Sequence, residues 1–259
     1  MNMLNHKMFF FKRNFLLNKY ILITGATDGI GKEAAITYAK YGANVILLGK
    51  SKKKLVQIKR QIEKNNSNTI VYILVINLES FNHNQYKLIF KQIKNKVPYL
   101  HGLLNNAGIL GKIDPIIKQK PKIWKKVINV NLNGSFMITQ TFLPLILKAK
   151  NPSIIFTTSG TTPNGRANWG PYAISKFAIE GFMKVLSAEY PSSKLRVNCI
   201  NPGSIKTKMR KIAFPTENNY ALMQPKDIMY FYLYLMSNIS KNKTGIRFDV
   251  KKLVKFIFN

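Results

Sequence analysis

Cysteine, histidine and acidic residues are all scarce in this 259-residue chain, and each scarcity removes a class of explanation. The single cysteine, Cys199, excludes an intramolecular disulfide framework. The three histidines, His6, His83 and His101, lie scattered without zinc-ligand spacing. No apolar run approaches the ~20 residues of a membrane-spanning helix. The stretch Met8-Phe9-Phe10-Phe11-Lys12-Arg13 is broken by charge and is too short for a signal-peptide core. The run from Met229 to Met236 is also short and reads as a buried or interface helix. A metal-free protein of the cytoplasm, with no membrane association, is therefore expected.

Ten acidic residues face 41 basic ones, a formal net charge of +31. Such an excess attracts polyanions at low salt. Lysine nevertheless spreads along the whole chain, and no basic stretch is interleaved with aromatics as in a nucleic-acid module. The excess reads as solvated surface charge, with no specific nucleic-acid partner.

Hydrophobic residues make up 46% of the chain, enough to bury a substantial core. No internal repeat or low-complexity linker divides residues 1–259, so a single domain is expected. Short runs rich in Ile, Leu and Val alternate with longer helical segments, the pattern of βαβ units around a parallel sheet covered on both faces. Candidate strands are Tyr20 to Thr24, Asn44 to Leu48, Ile70 to Val75, Leu100 to Asn105, Ser153 to Thr158, Arg196 to Ile200 and Ile246 to Val250. The fold class is α/β, a doubly wound, Rossmann-type parallel sheet of about seven strands.

The first candidate strand runs into Thr24-Gly25-Ala26-Thr27-Asp28-Gly29-Ile30-Gly31. Backbone N–H groups at a helix start can hold a pyrophosphate, and glycines allow its close approach. A purely structural tight turn is the competing reading. NAD-selective folds place a carboxylate about 20 residues beyond such glycines to bond the ribose 2′-hydroxyl. Gly49, Lys50 and Ser51 stand there instead, so NADP(H) is expected over NAD(H), Lys50 attracting a 2′-phosphate.

Pro171 suits the start of a helix that Pro191 ends. Within it, Ile174, Phe177, Ala178, Gly181, Phe182, Val185 and Leu186 form an apolar stripe expected to face the core. Tyr172 and Lys176 fall about 40° apart at helical spacing and roughly opposite that stripe. A phenol with a pKa of about 10 needs lowering for acid/base work, and a nearby ammonium favours the phenolate. Tyr-x-x-x-Lys alone also occurs by chance. Ser159 follows an apolar strand at the carboxyl edge of the expected sheet, where its hydroxyl can orient a substrate oxygen. Thr158 takes that place if the register slips by one.

Taken in order, Thr24-Gly25-x-x-x-Gly29-x-Gly31, Asn105-Asn106-Ala107-Gly108, Asn131, Ser159, Tyr172-x-x-x-Lys176 and Pro202-Gly203 resemble the short-chain dehydrogenase/reductase family over nearly the whole chain. The resemblance implies an NADP(H)-dependent oxidoreductase acting on a small-molecule carbonyl or alcohol substrate. Tyr172 would be the proton donor, Lys176 the ribose ligand, Ser159 the carbonyl positioner and Asn131 the support of a water relay. Gly25, Thr27, Asp28, Gly29, Ile30 and Gly31 would hold the cofactor's phosphates. Lys50, Asn77, Leu78, Asn105, Ala107 and Gly108 would line its adenosine side, Asn105 also bracing the central strand, and Pro202, Gly203, Ile205 and Thr207 its nicotinamide. The family usually assembles as a homodimer or homotetramer, through the helices that hold Asn131 and Tyr172.

The chain departs from the family pattern in two places. Asn77 replaces the usual aspartate, and Phe248-Asp249-Val250 with the tail Lys251 to Asn259 replaces the usual Asp-Gly-Gly. Other readings of the same motifs are a nicotinamide-retaining epimerase or dehydratase, and a non-catalytic dinucleotide-binding sensor or scaffold. The segment from Ser204 to Gln224 leaves the substrate open. Met209, Ile212, Phe214 and Met223 suit an apolar lid, whereas Lys206, Lys208, Arg210 and Lys211 suit an anionic group.

Overall fold

A computed structural model describes residues 11–253 apart from 13, 67, 81 and 163. His6, most of the Met8 to Arg13 run and the tail beyond Leu253 lie outside the described residues. In chain order the elements are β1 (Tyr20–Thr24), α1 (Gly29–Lys40), β2 (Asn44–Gly49), α2 (Lys52–Asn65), β3 (Val71–Val75), α3 (His83–Lys94) and β4 (Gly102–Asn105). They continue with α4 (Pro121–Ile128), α5 (Gly134–Ile146), β5 (Ser153–Thr157), α6 (Gly170–Glu189), β6 (Arg196–Asn201), α7 (Lys208–Ala213), α8 (Met229–Met236) and β7 (Arg247–Asp249). Each of the seven strands falls where the apolar runs place it, with no end shifted by more than two residues.

All seven strands are parallel, in the order β3-β2-β1-β4-β5-β6-β7. Side chains alternate across the sheet, as the two-residue strand period requires. Ile21, Ile23, Val45, Leu47, Leu104, Ile155 and Ile200 pack with α1, α2 and α8 on one face. Leu22, Ile46, Leu48, Leu103, Ile154, Phe156, Val197 and Cys199 pack with α3, α5 and α6 on the other. Both faces are covered, which is why the strands read as unbroken apolar runs. The order reverses between β1 and β4, and such a switch point opens a crevice at the carboxyl ends of the strands. Thr24, Asn105, Thr157 and Asn201 all end there.

One sequence expectation is corrected in α6. Most of the stripe faces away from the core, with Ile174 44%, Phe177 40% and Val185 59% exposed, although Leu186 is buried and Phe182 packs on Phe156. The buried face instead carries Tyr172, Ala173, Ser175, Lys176, Ile179, Met183 and Leu186. Polar side chains could be buried there because acceptors on β5 and neighbouring loops meet them. Periodicity identifies an apolar stripe but does not say whether the stripe meets this chain or another. The expectation for the run from Met229 to Met236 holds, since α8 is largely buried beneath the sheet. Among the described residues no helix is long and apolar enough to cross a membrane.

Phe142 on α5 is fully buried beside Phe90, whereas Leu88 on α3 is 58% exposed. Phe142→Ala is expected to lower stability by about 3–5 kcal/mol. Leu88→Ala should stay within about 0.5 kcal/mol of wild type. Chemical denaturation of the two variants checks the layer assignment, and equal losses would contradict it.

Candidate active site

The turn after β1 is held against the loop after β4 by one hydroxyl. Thr24 Oγ1 donates to the Leu104 carbonyl at 3.3 Å and accepts from the Asn106 and Ala107 amides at 2.9 and 3.0 Å. Gly25 and Gly29 adopt φ of +66° and +52°, the left-handed region that side chains avoid. A β-carbon at Gly25 would also sit 2.9 Å from Ala107 Cα. Asp28 caps α1 by accepting from the Gly29 amide at 2.8 Å, and pairs with Lys208 at 3.1 Å across the cleft. Burial raises the Asp28 carboxyl, but these bonds outweigh it and hold the group below the usual carboxylate range. The free amides of α1 then open on the cleft as an anion-seeking surface.

A smaller hollow of about 140 Å³ adjoins this turn, lined by Gly25, Thr27, Gly49, Lys50, Asn77, Leu78, Ala107 and Gly108 among others. Lys50 lies at its rim, 3.2 Å from Glu79, which also pairs with Lys126 at 3.1 Å. The Asn77 side-chain oxygen accepts from the Glu79 amide at 3.1 Å, shaping the turn after β3. Asn105 is placed differently: it is buried, lines neither hollow, and donates to Thr139 on α5 at 3.0 Å. Its neighbour Asn106 lines the main cleft instead. Asn105 thus braces the end of β4 against α5, the second role the family resemblance implies for it, and does not border the open space.

At the other end of the cleft, α6 brings Tyr172 and Lys176 beneath the ends of β4 and β5. Lys176 Nζ donates to the Thr157 carbonyl at 2.7 Å and lies 5.7 Å from the Tyr172 ring centre. Burial pulls the Lys176 pKa down to about 8, which leaves it largely protonated at neutral pH. Burial also raises the Tyr172 phenol, with a hydrogen bond to Ser159 partly opposing the rise. The sequence predicts a lowered phenol because spacing reveals the nearby ammonium and conceals the desolvation.

Ser159 sits on a braced loop. Glu180 on α6 accepts from Thr158 Oγ1 at 2.5 Å, Thr162 Oγ1 at 2.6 Å and Arg247 Nε at 2.8 Å. Arg247 also donates to the Ser159 carbonyl at 3.2 Å. Thr158, the alternative to Ser159, is thereby committed to Glu180. Asn131 lies in a π-helical segment, Asn129–Asn133, between α4 and α5. Its side chain accepts from the Ile109 amide at 2.8 Å and donates to the Ile109 carbonyl at 3.1 Å and to Ser175 Oγ at 3.0 Å. Ser175 in turn donates to the Tyr172 carbonyl at 2.7 Å, so Asn131 is linked to the turn of α6 that presents the phenol.

A single cleft of about 670 Å³ joins these parts. Gly25, Thr27, Asp28, Gly29, Ile30, Ala107 and Gly108 line it together with Ser159, Tyr172, Lys176, Pro202, Gly203, Ile205 and Thr207. Thr207 caps α7 by accepting from the Arg210 amide at 3.2 Å. Lys50, Asn77 and Leu78 lie in the adjoining hollow, while Asn131 is buried behind the wall. Beyond Tyr172 the wall is made by Leu110, Arg166, Trp169, Met209, Arg210 and Phe214. Of these, sequence reasoning missed Leu110, Arg166 and Trp169. Trp169 stands three residues before Tyr172, one helical turn away, and that spacing was the available signal.

The short chain dehydrogenase family model matches residues 19–218. The chain is 48% identical over 240 residues to the uncharacterized oxidoreductase YciK of Escherichia coli, covering 93% of this chain and 94% of that one. A short chain dehydrogenase of Shigella flexneri complexed with NADP superposes with a TM-score of 0.90 at 46% identity, covering 93% of this chain and 100% of that one. A short chain dehydrogenase of Escherichia coli CFT073 complexed with NADPH gives a TM-score of 0.88 at 47% identity, covering 92% and 99% respectively.

The buried lysine makes a pH prediction. An unfolded lysine keeps its proton to about pH 10.5, whereas Lys176 releases its proton near 8 in the fold. Between those values the unfolded chain binds more protons, so raising the pH favours the folded state. Wild-type stability, measured by denaturation without cofactor, should therefore climb from pH 8 to 10 relative to Lys176→Met. A difference that stays flat across that range would show that the ammonium is not desolvated.

Proposed function

The chain belongs to the short chain dehydrogenase family, and on that premise we propose that it is an NADP(H)-dependent oxidoreductase interconverting a small carbonyl compound and its alcohol. Family membership makes it an NAD(P)-dependent dehydrogenase/reductase; NADP(H), the substrate class and the residue roles are the proposal. The observation that carries it is the single cleft joining the glycine turn to Ser159, Tyr172 and Lys176.

The residues present fit a dinucleotide. The open space beside Gly25 continues from the hollow at Lys50 to Tyr172, and a side chain at Gly25 would fill it or strike the Ala107 backbone. The amides of α1 would hold the phosphates. Lys50 would meet a 2′-phosphate, in keeping with the NADP and NADPH complexes of the similar structures. Asn77, Leu78, Ala107 and Gly108 would border the adenosine, and Pro202, Gly203, Ile205 and Thr207 the nicotinamide. When bound, NADP(H) supplies or accepts the hydride.

In reduction, Ser159 would hold the carbonyl oxygen while Tyr172 gives that oxygen its proton. A phenol raised by burial is protonated at neutral pH and is therefore ready to donate. The Lys176 cation, held on the Thr157 carbonyl, would stabilise the phenolate that remains and take a ribose hydroxyl. Asn131 would support the return of a proton from solvent through its tie to Ile109 and Ser175. The exposed apolar stripe of α6, continuous with half-exposed Phe136 on α5 through the Phe136–Phe182 ring contact at 6.0 Å, is proposed as the face of a homodimer or homotetramer.

Tyr172→Phe should lower carbonyl-dependent NADPH oxidation about 10²–10⁴-fold. NADPH binding, followed by cofactor fluorescence, should change little. Turnover that survives the substitution would refute the assigned role of the phenol.

A further inference from the structure

Among the described residues five cations line the main cleft, and the structure accounts for three. Lys176 donates to the Thr157 carbonyl, Lys208 pairs with Asp28, and Arg210 pairs with Glu217 through two of its nitrogens. Lys206, from the same lid segment, lies over the Tyr220 ring and outside the cleft lining. The lid's positive charge is thus largely spent on the protein itself. Arg166, in the loop before α6, is different: its guanidinium donates to nothing among the described residues.

Arg166 is nevertheless held in place. Its guanidinium carbon lies 4.7 Å from the Trp169 ring centre and 4.9 Å from that of Phe214. Lying against two rings restricts the guanidinium while its N–H donors keep no protein acceptor, so less side-chain freedom remains to be lost when a ligand arrives. Trp169 in turn packs edge-on against Tyr172, with ring centres 5.6 Å apart. The free guanidinium therefore stands one ring beyond the phenol. Leu110, Met209 and Phe214 make the intervening surface apolar.

We infer that the substrate carries an anionic group, a carboxylate or a phosphate ester, which takes the fork of Arg166 while its apolar body lies on Trp169 and Phe214 and its carbonyl meets Tyr172. The inference rests on the oxidoreductase reading and names the substrate class of the same cleft. A planar two-oxygen anion matches the fork in a way that a lone ammonium does not. Lys251 is the other cation on the cleft with no acceptor among the described residues; both side chains are exposed, but only Arg166 has ring contacts to hold it there.

The test compares NADPH oxidation with 4-carboxybenzaldehyde, 4-formylphenyl phosphate and the methyl ester of 4-carboxybenzaldehyde. Wild type should favour one of the two anions over the neutral ester by about tenfold or more in kcat/KM, and the favoured anion distinguishes carboxylate from phosphate. Arg166→Met should collapse that ratio, mainly through KM, and Arg166→Lys should restore part of it. Equal use of ester and anions by wild type overturns the inference. So does a preference that persists in Arg166→Met or disappears instead in Lys251→Gln. Turnover of no aldehyde would count against the oxidoreductase reading, and binding then decides the inference separately. Terephthalate, followed by Trp169 fluorescence in a Trp124→Phe background with NADP present, should bind about tenfold more weakly after Arg166→Met. Unchanged binding would overturn it.

Discussion

The bond from the buried Lys176 ammonium to the Thr157 carbonyl is the contact on which the rest of the site depends. It fastens the first turns of α6 to the carboxyl end of β5, and Tyr172, one turn earlier on that helix, is fixed with it. An ammonium removed from water loses hydration energy that a single carbonyl replaces only in part, hence the depressed pKa. The fold tolerates a strained charge at the place where a positive group is useful, which is how functional sites commonly depart from the most stable arrangement.

Two further devices serve the same purpose. The π-helical turn at Asn129–Asn133 pushes Asn131 into the space between Ile109 and Ser175, and links three segments distant in sequence. Such turns interrupt helices where a side chain must be re-aimed. Behind Ser159, the Glu180–Arg247 pair gathers Thr158, Thr162 and the Ser159 carbonyl, so the loop after β5 is braced from α6 and from β7. Both devices serve the cleft along the carboxyl ends of the strands, which the sheet's reversal between β1 and β4 opens so that a ligand can lie there without displacing the core.

Much of this was legible in the residues. Strands covered on both faces are apolar throughout, so all seven could be placed, and the errors were confined to their ends. Tyr172, Lys176, Ser159 and the glycine turn carry distinctive spacing, and they meet in one cleft. The remainder depended on direction and solvation, which spacing does not carry. The α6 stripe has the period of a core face although most of it is exposed, because periodicity does not say which side of a helix meets the sheet. Asn105 and Asn106 are separated only by where β4 ends, Asn105 being its last, inward-facing residue and Asn106 the first of the loop that borders the cleft. The residues of the lid suit an apolar cover and an anion site equally, and only the structure shows Asp28 and Glu217 paired with Lys208 and Arg210. The guanidinium left over, Arg166, lies in a loop with no periodic pattern to mark it.

The most direct measurement is transfer of deuterium from NADPH labelled at the nicotinamide C4 to a carbonyl substrate, followed by mass spectrometry of the alcohol, with wild type and Tyr172→Phe side by side. Deuterium on the former carbonyl carbon with wild type, and its near-complete loss with the variant although NADPH still binds, is the expected result. Binding of NADPH by both proteins with no transfer by either would contradict a proton-donating Tyr172 beside a hydride-accepting carbonyl.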